Sequence, residues 1–115
     1  PGQTDLTAAG QEQIKDVFAR LRPVLDRIPP QIDWVIRVDG HTDNIPLLGT
    51  GAFVNNWQLS QARALSVVLF MIDRLGFPAE RAAAAGFGEY HPVAPENTPE
   101  ARAQNRRIEL KLTER

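Results

Sequence analysis

Cysteine is missing from this chain of 115 residues, which excludes disulfide bridges and metal sites built on thiolates. The same absence fits a reducing cytoplasm and an oxidising periplasm equally well, because neither compartment requires the residue. The lack of cysteine therefore excludes these two kinds of chemistry but does not indicate the cellular compartment.

Long apolar runs are also missing. The longest one, residues 67–72, is far shorter than the roughly 20 apolar residues that a membrane-spanning helix needs. The chain starts with Pro1 and shows no charged segment followed by an apolar one, which a secretory leader would have. We therefore expect a fragment of a longer membrane-anchored protein, attached to the membrane only through a segment upstream.

Charge of one sign is scarce as well. The 13 basic and 14 acidic residues are interspersed and give a net charge of −1, and the only adjacent basic pair is Arg106-Arg107. Nucleic-acid-binding domains normally need a basic surface, because neutralising phosphates dominates their affinity, so we expect no nucleic-acid partner. An apolar share of 43% over this length fits a single domain, residues 1–115, with one core.

The first half of the chain predicts a helix and then a strand. Apolar residues recur at spacings of three and four after Thr7, a favourable helix N-cap. These apolar residues are Ile14, Val17, Phe18, Leu21, Val24, Leu25 and Ile28. Pro23 should kink this helix, and the prolines at 29 and 30 should end it. The alternating segment WVIRVD, residues 34–39, then predicts a strand.

A second helix is predicted from a start between Asn56 and Ser60 to an end at Gly76. Its core stripe should contain Ala62, Leu65, Leu69 and Ile72. The opposite face of its first turns aligns Asn56, Ser60 and Arg63. The far side of its second half is apolar too, through Val67, Phe70 and Met71, so the first helix or another subunit should cover it.

The four alanines at residues 82–85 favour a helix by propensity, but we predict a strand there. The segment is short, Gly86 and Gly88 follow it, and a crossover from the second helix should deliver a strand beside the first one. A helical turn near residues 99–104 and a strand over residues 107–112 should complete the chain. The order α-β-α-β-β predicts an α/β two-layer sandwich with its helices packed on one face of the sheet.

Charged residues at two ends of one loop form the main candidate site. His41 and Asp43 follow the first strand, where α/β sheets present ligand-binding groups, and Arg63 lies in an early turn of the next helix. Asp43 and Arg63 could therefore face one pocket. The ordinary alternatives are a surface ion pair or an aspartate that caps its own turn.

Two other hypotheses belong to different functional classes. The pairs His41-x-Asp43 and Glu89-x-His91 could together hold a metal ion and make the protein a metal-dependent hydrolase, although such short spacings are common by chance. Alternatively, the apolar second helix could be the interface of a protein–protein interaction module.

Four segments in order carry a resemblance to a known family: "VDGHTDN", "NWQLSQARA", "GFGEYHPVAPENT" and "ARAQNRRIEL". From about Leu6 to its end the chain resembles the OmpA-like peptidoglycan-binding domain. The proline after "HTDN", the longer loop and "NNWQLS" are most similar to the MotB-type branch of that family.

The resemblance implies a βαβαββ fold with a mixed parallel and antiparallel sheet, whose first strand is truncated here to "PGQTDL". It implies a non-catalytic domain without a cofactor or metal, located in the periplasm of a Gram-negative envelope. Its partner would be the diaminopimelate-containing stem peptide of peptidoglycan, and the domain could pair as a homodimer, as stator domains do. The insertion at residues 45–54 would cover the site or join such a dimer.

Roles for individual residues also follow from the resemblance. Asp43 matches the aspartate that receives the ammonium group of diaminopimelate, and Arg63 matches the arginine that binds its carboxylate. The surrounding pocket residues would be Thr42, Asn44, Asn56, Leu59 and Arg106, with His41 and Asn105 in supporting positions. A zwitterionic ligand explains why the loop carries opposite charges at its two ends.

Overall fold

The structure is a computed structural model that describes residues 6–45 and 55–114. Its helices are α1 (Ala8–Leu25), α2 (Asn56–Leu75) and α3 (Pro99–Asn105), and its strands are β1 (Trp34–His41), β2 (Ala82–Gly86) and β3 (Arg107–Glu114). The predicted order of these elements and the α/β class are confirmed. The sequence reading missed one short 3₁₀ helix, Ala79–Arg81.

The sheet is mixed, in the order β2-β1-β3. β1 runs parallel to β2 and antiparallel to β3, so the strand prediction for the four alanines is confirmed. Small residues are required there because α2 crosses close above the sheet. A side chain at Gly86 would place its Cβ 2.5 Å from the backbone nitrogen of Gln61 and 2.8 Å from Ser60 Oγ. This close approach holds the start of α2 against the ends of β1 and β2.

The predicted core face of α2 is wrong. Leu65 and Leu69 are 45% and 49% exposed, whereas Val67 and Met71 are almost completely buried. The helix is apolar on nearly every side, so periodicity alone cannot choose its buried face. Gly40 decides the orientation, because the Ser60 backbone lies directly over it with no room for a Cβ.

This orientation of α2 also buries polar residues of its first turns, which the sequence reading placed opposite the core. Asn56 is 6% exposed and Ser60 is fully buried, both on the side that faces β1 and its following loop. The predicted homodimer stays a prediction. Val67, Phe70 and Met71, on which that prediction was based, are buried, whereas Leu65 and Leu69 are exposed on the same helix.

The first helix begins as predicted, with the Thr7 side chain accepting a hydrogen bond from the backbone N–H of Gly10 at 3.0 Å. It ends at Leu25, and turns continue the chain as far as Ile28 through hydrogen bonds between residues three apart. Phe18 anchors it to the core, with its ring 5.5 Å from that of Phe77 in an edge-to-face arrangement. The rest of the central cluster is Ile36, Val38, Ala64, Val67, Val68 and Met71.

In the two described stretches, no helix has both the length and the apolar character required to cross a membrane. The predicted remnant of a preceding strand falls on residues 1–5, apart from Leu6, and most of the insertion falls on residues 46–54. Both lie outside the described residues.

Candidate functional site

Three charged side chains from distant parts of the chain meet beside one small cavity of about 10 Å³. Asp43 comes from the loop after β1, Arg63 from the second turn of α2, and Arg106 from the junction of α3 and β3. The remaining lining residues are Thr42, Ile45, Asn56 and Leu59. The structure thus brings six predicted site residues together, and their roles in binding stay predictions.

Asp43 is a buried carboxylate, 6% exposed, with both oxygens engaged. Oδ2 accepts a hydrogen bond from Arg106 Nη1 at 2.7 Å, and Oδ1 accepts one from the backbone N–H of Ile45 at 3.0 Å. Sequence reasoning assigned Arg106 to the pocket but could not show that it pairs with Asp43. A buried carboxylate is tolerated here because a cation and a backbone donor satisfy it.

Arg63 brings a second positive charge to the same place. Burial lowers the pKa of its guanidinium and the nearby Arg106 acts in the same direction, whereas the Asp43 carboxylate opposes them. Arg63 nevertheless remains a cation, because arginine side chains are not deprotonated in proteins. The cavity is therefore bordered by one carboxylate and two cations, an arrangement that can accept a further anionic group.

The polar residues around the cavity hold the binding loop in shape. Asn56 donates through Nδ2 to the backbone carbonyls of Ile45 and Asp43, at 3.1 and 3.4 Å. Thr42 donates its hydroxyl to the Asp43 carbonyl at 2.9 Å and its backbone N–H to the Gly88 carbonyl at 2.9 Å. These bonds attach the loop to α2 on one side and to the segment after β2 on the other.

Asn105 positions the third charged residue. Its buried amide accepts hydrogen bonds from the backbone N–H groups of Val93 and Ala94, at 2.9 and 3.0 Å, and donates to the Ala94 carbonyl at 3.0 Å. The last turn of α3 is thereby fixed to the preceding loop, directly before Arg106. The supporting role predicted for Asn105 in ligand binding stays a prediction.

Asn44 lies at the rim and is exposed. Its Nδ2 donates to Asn97 Oδ1 at 3.3 Å, and Arg102 Nη1 donates to the same oxygen at 2.9 Å. Asn97, which the sequence reading did not single out, therefore connects the binding loop to α3. Asn44 does not line the cavity in this structure.

His41 lies outside the cavity that Asp43 borders. Its ring stacks on Phe87 at 5.3 Å and 11°, and its Nε2 lies 3.7 Å from Glu109 Oε1. Neither ring nitrogen has a hydrogen-bond partner among the described residues. Burial lowers the pKa of His41, and the Arg107 cation adds to this effect, so the neutral ring is favoured. His41 therefore supports the end of β1 by packing.

The metal hypothesis required His41, Asp43, Glu89 and His91 in one cluster. The ring centroids of His41 and His91 are 6.2 Å apart, but Asp43 is engaged by Arg106. Among residues 6–45 and 55–114, no group of three His, Cys, Asp or Glu side chains is arranged to hold a metal ion. The ligand set that this alternative needs is thus not assembled in the described part of the chain.

A larger groove of about 720 Å³ opens beside the cavity, and sequence reasoning did not anticipate it. It lies between α1, α2 and β3 and shares Arg63 and Arg106 with the cavity. Much of the rest of its wall is apolar, including Ile14, Val17 and Leu110. Arg63 and Arg106 therefore lie at the border between the small cavity and the open, largely apolar groove.

Comparison with known proteins identifies the family of the chain. Residues 1–106 match the OmpA family. Motility protein B of Bacillus subtilis is 40% identical over 80 residues, which cover 70% of this chain and 30% of that protein. The peptidoglycan-binding protein ArfA of Mycobacterium bovis is 36% identical over 101 residues, covering 88% of this chain and 29% of ArfA.

Among solved structures, the cell wall anchor of the T6SS from Pseudomonas aeruginosa is similar, with a TM-score of 0.77 and 30% identity. The similarity covers 98% of this chain and 71% of that one. The chain spans about a third of the length of the curated relatives it matches. The family match, the mixed sheet and the agreement with both sets of relatives lead to one conclusion: the chain belongs to the OmpA family, as a domain of the OmpA/MotB C-terminal type.

Proposed function

We propose that this domain binds peptidoglycan without catalysing a reaction and so anchors a longer membrane protein to the cell wall. Two relatives support the proposal by what they are named: ArfA is a peptidoglycan-binding protein, and the similar Pseudomonas structure is a cell wall anchor. The observation that carries it is the buried carboxylate of Asp43 beside two arginines at one cavity.

The ligand group that suits these charges is the free end of a diaminopimelate residue in the stem peptide. That end carries an ammonium and a carboxylate on the same carbon atom. Asp43 would receive the ammonium, and the planar guanidinium of Arg63 would bind the carboxylate through two parallel hydrogen bonds. Arg106 adds a second cation within reach of the same carboxylate.

Binding in this way requires Arg106 to move. A cavity of about 10 Å³ has roughly the room that one water molecule occupies, so the ligand cannot enter while Arg106 holds Asp43. Arg106 makes one hydrogen bond to the carboxylate, and its side chain is 36% exposed. The ligand ammonium can therefore replace Arg106 on Oδ2, and the released guanidinium can turn to the ligand carboxylate.

A sedimentation experiment with isolated cell walls tests the proposal. The wild-type domain should pellet with diaminopimelate-type sacculi, and Arg63→Ala should remain largely in the supernatant. Arg74→Ala is the matched control, because Arg74 is an exposed arginine in the last turn of the same helix. Equal sedimentation of both variants, with both shown to be folded by circular dichroism, would contradict the proposed site.

As the parent protein we favour a MotB-type flagellar stator in a Gram-negative envelope, with this domain in the periplasm and paired with a second copy. The similarity to motility protein B supports this choice. Reading the full-length gene product tests it, since an ion-driven stator should have one upstream transmembrane helix that contains an aspartate. Light scattering at high protein concentration tests the pairing, and a strictly monomeric mass would count against it.

A further inference from the structure

Two aromatic side chains form a stacked pair on the surface of the domain. The rings of Trp57 and Tyr90 have centroids 5.0 Å apart and planes inclined by 27°. Trp57 is 48% exposed and Tyr90 is 59% exposed, and neither belongs to the hydrophobic core cluster. Large aromatic rings contribute much to stability when buried, so a pair held open to solvent suggests a contact with another molecule.

The pair is attached to the backbone that shapes the candidate site. Gly88 lies against both rings, since a Cβ built on it would be 3.4 Å from Tyr90 and 3.5 Å from Trp57. Its carbonyl accepts a hydrogen bond from the backbone N–H of Thr42, the residue before Asp43, and its N–H donates to Ser60 Oγ at 2.9 Å. Gly88 also has a φ of 63°, a conformation that favours glycine.

Trp57 is also connected to the candidate site through α2. It follows Asn56, whose amide holds the binding loop, and it lies in the first turn of α2. Trp57 and the cavity-lining Asn56 are consecutive residues, so the aromatic pair and the charged cavity lie at neighbouring positions of the start of α2.

The chemistry of the pair suits a ligand with an apolar C–H face. The face of an aromatic ring carries partial negative charge, which attracts weakly polarised C–H groups. A pyranose sugar presents a face of axial C–H groups and a rim of hydroxyls. In peptidoglycan the stem peptide is attached to such a sugar, so a bound peptide brings one close to the domain.

We propose that Trp57 and Tyr90 form a subsite for a sugar ring of the glycan strand, next to the peptide-binding cavity. This inference rests on the proposed function, because it takes peptidoglycan as the partner. It adds a second point of contact with the same polymer, and two linked contacts bind more tightly than either one alone.

The test compares two wall fragments by calorimetry with the 115-residue chain: a disaccharide–peptide and the free stem peptide of the same sequence. The wild type should bind the disaccharide–peptide about three- to tenfold more tightly. Trp57→Ala and Tyr90→Ala should lose that advantage and keep the affinity for the free peptide. Tyr90→Phe is the matched control, because it keeps the ring and should keep the advantage.

Three results would overturn the subsite. In the first, the wild type binds both fragments equally. In the second, the alanine variants weaken the binding of both fragments by the same factor. In the third, the wild type binds phospholipid vesicles through Trp57 and Tyr90 and does not distinguish the two fragments. Failure of the proposed function looks different, since the wild type would then bind neither fragment, and the subsite would fall with it.

Discussion

Two charged clusters lie close to each other around β1, and they are built differently. On the sheet, Arg37 donates two parallel hydrogen bonds to Asp39, at 2.7 and 2.9 Å, and Arg107 donates to Glu109 at 2.6 Å. Each pair joins residues two apart on one strand, so the alternation of the strand keeps the partners on the same face.

At the cavity, by contrast, the partners Asp43 and Arg106 are 63 residues apart in the chain and share one hydrogen bond. Asp43 turns its second oxygen to a backbone N–H, and a second arginine stands beside it. The pairs on the sheet are fixed by local geometry and stabilise the strands. Under the proposed function, Asp43 would exchange Arg106 for the ammonium of the ligand, whereas the pairs on the sheet would stay as they are.

The largest effect on stability is expected at the sheet. Arg37→Ala leaves Asp39, 3% exposed at its side chain, without the cation that donates both of its hydrogen bonds. Because the Arg37 side chain is 42% exposed, water can replace part of this contact, so the change should lower the free energy of unfolding by roughly 1–2 kcal/mol, measured by urea denaturation. Lys111→Ala, at an exposed position of the same sheet face, is the control. Wall binding by the folded protein should not change.

Asp43→Asn should give the opposite result. The amide keeps an oxygen for the Ile45 N–H but loses the charge that matches an ammonium, so affinity for wall peptide should fall roughly ten- to a hundredfold. The free energy of unfolding should change little, because this substitution removes the buried charge itself and does not leave it without a partner. A loss of stability in Asp43→Asn as large as its loss of affinity would contradict the distinction between the pairs on the sheet and the pair at the cavity.

A smaller, pH-dependent effect is expected at His41. Because its pKa in the folded protein lies below the ordinary value of 6.5, the unfolded chain takes up the proton first as the pH falls. Stability should therefore decrease as the pH falls below about 6.5, towards the folded pKa. The charged groups that act on His41 are Arg107, Glu109, Asp39 and His91.

The control for this prediction is His41→Phe, which keeps a ring against Phe87 and cannot titrate. Urea denaturation at several pH values should show a flatter profile for this variant. The pKa of Glu109 is lowered below 4.5, mainly by its hydrogen bond from Arg107, so stability from that group is lost only at more acidic pH. An unchanged slope between pH 6.5 and 5.5 would contradict the assignment to His41.

The smallest expected effect concerns the helix that carries Arg106. The Thr98 hydroxyl accepts a hydrogen bond from the N–H of Ala101, so Thr98→Ala should cost about 1 kcal/mol of stability. Thr7→Ala removes the corresponding cap of α1 and should cost a similar amount. Only the Thr98 variant should also weaken peptide binding, by less than Asp43→Asn does. Equal affinities for the two variants would show that α3 does not position the site.

Much of the fold was predictable because local signals agreed. Thr7 marked the start of α1, and Gly86 with the crossover geometry overcame the helical propensity of the alanines. The buried face of α2 was not predictable, since the second half of the helix is apolar on most sides. The contact that decides it, Ser60 over Gly40, joins residues 20 apart, and no periodicity reports it.

The sequence predicted most of the residues that line the cavity, but not the hydrogen bonds between them. Opposite charges at the two ends of one loop allowed Asp43 and Arg63 to face one pocket, the family resemblance favoured that reading, and the structure places both beside one cavity. The partner that Asp43 actually binds, Arg106, arrives from the other end of the chain. The stacking of Trp57 on Tyr90 likewise depends on how the segment after β2 folds back over α2, which pattern reading cannot reveal.

The most direct test of the account is a calorimetric titration of the folded domain with two stem peptides that differ only in their third residue, diaminopimelate or lysine. Lysine keeps an ammonium but lacks the terminal carboxylate, so Arg63 loses its partner. The lysine peptide should bind roughly ten- to a hundredfold more weakly, and Arg63→Lys should lose most of this discrimination, since an ammonium cannot form the bidentate contact. Equal affinity of the wild type for the two peptides would contradict the assignment of Asp43 and Arg63 as the two halves of a zwitterion receptor.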